Sequence, residues 1–123
     1  CNGVDGIFSV TYLADPAELE ARWKALYGDA VTYIGNVLQA DTRCGLLRAM
    51  DAATAATQYP GVRLPHAASE RAHAIAIGLH TKSLDTVRFI LEHNEVPHEQ
   101  VPGRVMVQPE AAGNVILEFV QNL

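Results

Sequence analysis

The chain has 123 residues, 49% of them hydrophobic and 19% charged, which is one domain's worth of sequence around one modest core. Nine basic residues against fourteen acidic ones give a formal net charge of -5, so the dense positive charge that nucleic-acid binding requires is missing. No uncharged window is long enough to cross a bilayer, and Cys1 and Cys44 are too few for a disulfide scaffold or a thiolate metal site. Two free thiols point to a reducing, cytoplasmic setting. The chain opens C-N-G-V-D-G, with neither an initiator Met nor a signal-like apolar stretch, which leaves open that upstream sequence has been removed.

Ile7 to Leu13 alternates as a half-buried strand, with Phe8, Val10 and Tyr12 on one face and Ser9 and Thr11 on the other. Asp15-Pro16, with Glu18 three residues after Asp15, is a helix start. The helix then runs to about Tyr27, with Leu19, Trp23, Leu26 and Tyr27 as its apolar stripe, and stops at Gly28. Val31 to Gln39 and Cys44 to Met50 read as strands joined by a turn at Asp41-Thr42, with a break at Gly35-Asn36 left open. A short Ala-rich helix is expected around Asp51 to Gln58, and residues 59 to 70, rich in Pro and Gly, read as a linker.

A second cycle follows. Ala72 to Leu79 is a strand with Ile75, Ile77 and Leu79 on one face and Ala74, Ala76, Gly78 and His80 on the other. Ser83 caps a helix over Leu84 to His93 with Val87, Ile90 and Leu91 buried. His98 to Val101 and Arg104 to Val107 form a hairpin around Pro102-Gly103, and Val115 to Val120 closes the chain. The two cycles repeat at about 68 residues, counted from strand to strand, and neither half can bury a core alone. The expected architecture is an α+β domain of paired βαβββ modules, with curved mixed sheets around a cleft and one helix packed behind each. Module one spans about residues 7–58, the linker about 59–70 and module two about 71–123. The strongly apolar strand faces should meet the helices, and the small and polar faces should look into the cleft.

The stretches D-P-A-E-L-E-A-R-W-K-A-L-Y-G, S-L-D-T-V-R-F-I-L-E-H-N-E-V-P and V-Q-P-E-A-A-G-N-V-I-L-E-F-V, in this order and spacing, resemble the glyoxalase / bleomycin-resistance / extradiol-dioxygenase superfamily, the vicinal oxygen chelate fold, over about residues 7 to 121. Its glyoxalase-like domains are the nearest likeness. The resemblance implies a cleft between βαβββ modules, often completed across a homodimer, with a divalent metal in the metalloenzymes held by the first and last strands of each module. Module pairs of this kind can also be the later portion of a longer chain.

Carried over position by position, the pattern leaves Glu118 in I-L-E-F as the match for the final-strand Glu. Strand parity argues against His73 as its partner, since the ligand position falls on Ala74; in module one the corresponding positions fall at Phe8 or Ser9 and at Arg48. Two ligands do not hold a catalytic metal, so no resident cofactor is assigned and a divalent metal stays a minority alternative. The five histidines, 66, 73, 80, 93 and 98, show no HxxxH or HxH pairing on one element. Glu118 and His80 are weak catalytic candidates, against plainer readings as an edge-strand carboxylate and a loop residue. Arg48, His80, Glu118, Ser9 and Thr11 are the candidate ligand-binding set, with Arg48 either paired to Glu118 or free to hold an anion. Three functions compete: a metal-independent small-molecule-binding domain, a metal-dependent lyase, isomerase or dioxygenase, and a structural or dimerisation portion of a longer protein. No nucleic-acid or membrane partner is expected.

Overall fold

A computed structural model of the chain describes residues 4–64 and 73–121. Within them the order is β1 (Val4–Leu13), α1 (Pro16–Tyr27), β2 (Val31–Ile34), β3 (Val37–Asp41), β4 (Leu46–Met50), α2 (Ala52–Gln58), β5 (His73–Thr81), α3 (Leu84–His93), β6 (His98–Val101), β7 (Arg104–Val107) and β8 (Ile116–Gln121). Val31 to Gln39 is therefore two strands. Gly35, at φ 62°, turns the chain where only a residue without a Cβ sits easily. The second part of the expected linker, residues 65–70, lies outside the described residues, as does His66.

Each half builds the same four-stranded unit. Its first strand pairs in parallel with its last, β1 with β4 and β5 with β8, and the other two strands follow as antiparallel neighbours. The units join edge to edge through antiparallel β1 and β5, giving one eight-stranded sheet in the order β2-β3-β4-β1-β5-β8-β7-β6. That seam removes two exposed edges that would otherwise be open to foreign pairing.

The helices start as their sequences dictate. Asp15 accepts from the Ala17 amide, Asp51 from Thr54, and Ser83 from Thr86. Helix α1 seats its i, i+4 ridge, Leu19–Trp23–Tyr27, on Tyr12, Leu38, Leu47 and Ala49. Leu26, one step around the helix, overhangs the sheet and is 69% exposed, so it drops out of the expected stripe. Helix α3 lays Leu84, Val87 and Leu91 on Leu79, Val105, Val107, Leu117 and Phe119. Both helices sit on the same side, and the other side of the sheet forms the concave face.

Tyr12 and Leu79 meet the helices as expected, but two residues assigned to that face do not. Phe8 and Ile75 each sit where the β1–β5 register slips, between Ile7 and Ser9 and between Thr11 and Tyr12. An extra residue at a bulge breaks the period-two alternation. The Phe8 ring consequently stacks on His80 with centroids 4.5 Å apart, and Ile75 packs into the central core with Met50, Ala76, Met106 and Ile116.

Candidate functional site

Among the described residues the concave face is covered at one end and left more open at the other. After β4 the chain does not leave the sheet: α2 and the residues after it fold back over the concave surface. Ala55, Tyr59 and Val62 pack there against Val37, Met50, Ile75, Ala76, Met106 and Ile116. Both modules and the connection between them therefore supply this core. The strap is tied by polar contacts as well. The Tyr59 hydroxyl and Thr11 Oγ1 share a buried hydrogen bond of 2.8 Å, Gln108 Nε2 donates to the Gly61 carbonyl, and the Arg63 amide donates to Gln108 Oε1. Burial pushes the Tyr59 phenol above its ordinary pKa; the Thr11 hydrogen bond pulls the other way and the nearby Glu118 charge adds to the rise.

Beyond Tyr59 the described residues cover the face less fully. Phe8, Leu46, Arg48, His80 and Val120 are half-buried there, around the buried Ser9 and Thr11. Register places Leu46, Ser9, Gly78 and Glu118 in one cross-sheet row, and Gln39, Arg48, Thr11, Ala76 and Ile116 in the next. All five residues expected to bind ligand thus share the concave face. Gly78 is required by this crowding, since a Cβ there would lie 2.3 Å from Ser9 Oγ and 2.7 Å from the Phe8 ring.

Glu118 is 4% exposed and its carboxylate is engaged by Arg104 Nη2. The same guanidinium donates to the Gln58 carbonyl at 2.8 Å, touches Met106 Sδ and lies 5.6 Å from the centre of the Tyr59 ring. Arg104 thus couples Glu118 to the strap. Arg48, the alternative partner for Glu118, forms no hydrogen bond or ion pair among the described residues, and its Nε is shut away from solvent. Neither Arg104 nor Tyr59 was expected at the site. The hairpin turn at Pro102-Gly103 carried a signal for Arg104, since it sets Arg104 opposite Val120 and two residues from the Glu118 row. Tyr59 had none beyond being a large aromatic in a segment otherwise composed like a linker.

These residues do not fit the divalent metal implied by the resemblance. The concave positions of the opening and closing strands include Ser9, Thr11, Gly78, His80, Arg48 and Glu118, of which only His80 and Glu118 are metal-ligand types, too few to hold a catalytic metal. The Glu118 carboxylate is already neutralised by one guanidinium, and a second on the same face would repel a cation. Among the described residues no group of three or more His, Cys, Asp or Glu is placed to hold a metal. Cys44 is a free, exposed thiol. No described helix is long and apolar enough to cross a membrane.

Two βαβββ units joined at their first strands, with both helices behind and a concave face in front, are the vicinal oxygen chelate fold. Solved structures bear this out. A methylmalonyl-CoA epimerase from Mycobacterium tuberculosis superposes with a TM-score of 0.62 at 14% identity, covering 98% of this chain and 90% of that one. A hypothetical protein from Bacillus halodurans C-125 superposes at 0.66 with 11% identity, covering 96% and 94%. A Streptomyces coelicolor methylmalonyl-CoA epimerase in complex with 2-nitronate-propionyl-CoA superposes at 0.62 with 13% identity, covering 97% and 98%. At such identities the likeness establishes the fold and leaves the chemistry to the site. No family model and no curated protein matches the chain in sequence.

Proposed function

We propose that this domain binds a small organic ligand at the open end of its concave face, between the two modules, without a resident metal. The observation that carries the reading is the convergence of Ser9, Thr11, Arg48, His80 and Glu118 on one face whose far end is sealed by the Tyr59 strap. Partly apolar walls with a few fixed polar groups are what a small-molecule site requires. The engagement of Glu118 by Arg104 supports binding over acid–base chemistry, since the carboxylate is already committed to a guanidinium. The stacking of His80 on Phe8 supports a part for both rings in the pocket wall. The fold resemblance adds a homodimer, which light scattering on the purified chain would reveal as twice the monomer mass.

A thermal-shift screen of small organic compounds tests this. Some compounds should raise the melting temperature, and Arg48→Ala or Glu118→Ala should reduce the rise. A library that leaves the melting curve in place sinks the reading. Near-stoichiometric metal in the purified protein, lost on Glu118→Ala, would replace it with the metal-dependent lyase, isomerase or dioxygenase.

A further inference from the structure

Among the described residues the charge pattern of the concave face is unbalanced in a way the fold does not need. Strand β4 is internal to the sheet, and its concave neighbours Leu46 and Met50 are apolar, yet Arg48 stands between them. Among the described residues the groups facing it are Gln39 on β3, Thr11 on β1 and the Tyr59 phenol on the strap, and none of them is an anion at neutral pH. The nearest carboxylate along β3, Asp41, is exposed and accepts from the Arg43 amide at 2.9 Å. Glu118 is committed to Arg104. The Nε of Arg104 also lacks a partner, but its Nη2 meets a carboxylate and a carbonyl, whereas Arg48 meets neither among the described residues. A half-buried cation without a counter-charge costs stability, and a Leu or Met at this position would not.

We infer that Arg48 is the receptor for an organic monoanion, a carboxylate carried on a flat apolar body, which supplies the missing counter-charge when bound. This rests on the cleft reading above and narrows it to a ligand class. A guanidinium presents paired donors that match a carboxylate. The Phe8–His80 stack, with Leu46 and Val120, offers an apolar wall for the body of the ligand. A single unpaired guanidinium suits one negative charge, and the other arginine on this face among the described residues, Arg104, is already engaged by Glu118.

Benzoate and its neutral isostere benzamide test the inference at matched ionic strength, with melting temperature and isothermal titration as readouts. Benzoate should raise the melting temperature saturably and benzamide should not. Arg48→Met should melt higher than the wild type without ligand and bind benzoate at least about tenfold more weakly. Arg48→Gln, which keeps polarity but loses the charge, should show the same loss of benzoate binding. Equal binding of benzoate and benzamide, or benzoate binding that survives both substitutions, overturns the anion receptor while leaving the cleft reading standing. A silent benzoate titration overturns it too, and if the wider compound screen is also silent the cleft reading falls with it. An Arg48→Met variant that melts lower than the wild type shows a structural arginine and overturns the inference.

Discussion

Glu118 and Arg104 show how one pair of side chains decides what the site can do. The Glu118 side chain is 5% exposed and that of Arg104 27%, so removing the arginine leaves a carboxylate in a nearly dry environment. Arg104→Gln should destabilise the domain by about 3 kcal/mol, whereas the double variant with Glu118→Gln should recover much of the loss. Chemical denaturation of the two variants measures this; equal instability would mean that the pair is not coupled. Tyr59 gives a prediction in pH. Its phenol is raised above the usual value mainly by burial, so the neutral form is the one the fold favours. The stability it contributes is complete below the ordinary phenol range and is lost as pH climbs through the raised folded-state value. The phenolate absorbance of wild type minus Tyr59→Phe should therefore titrate later than free tyrosine, and Tyr59→Phe should flatten the alkaline decline in stability.

At the scale of elements, the helices follow their local chemistry closely. Ser83 holds the first turn of α3 through the Thr86 amide, so Ser83→Ala should cost about 1 kcal/mol, or roughly 4 °C in melting temperature. Helix boundaries were legible because capping and the i, i+4 ridge act within a few residues. Strand faces were legible only where the alternation ran unbroken. Tyr12 and Leu79 took their expected places, while the bulges at Phe8 and Ile75 turned those side chains toward the concave face. A bulge depends on what the partner strand does, and β5 lies some sixty residues further along the chain, so no local pattern in β1 announces it. Glu118 and Arg48 lie on the concave face, on strands β8 and β4 that keep their period.

At the scale of the molecule, the two modules share one sheet and one core. Val37 and Met50 come from the first module, Ile75, Met106 and Ile116 from the second, and Ala55, Tyr59 and Val62 from the connection. Met106 is fully buried in this cluster, so Met106→Ala should cost about 2–5 kcal/mol. The sole tryptophan, Trp23, reports on the first module, and Met106 belongs to the second. If the halves unfold as one, Trp23 fluorescence and far-ultraviolet circular dichroism should shift together in Met106→Ala. A fluorescence transition that stays put would mean independent modules.

One hundred and twenty-three residues and a pattern repeated at half-length determined that neither module could bury a core alone, and capping and periodicity determined the elements of each. Those are short-range and volume constraints, and a single chain carries them in full. Which side chains meet on the concave face was decided by tertiary structure. The return of the 51–64 segment over the sheet seals one end with Tyr59, and the β6–β7–β8 register gives Glu118 to Arg104. Among the described residues Arg48 is left without a paired carboxylate, because pairing among charges depends on distances between residues far apart in sequence.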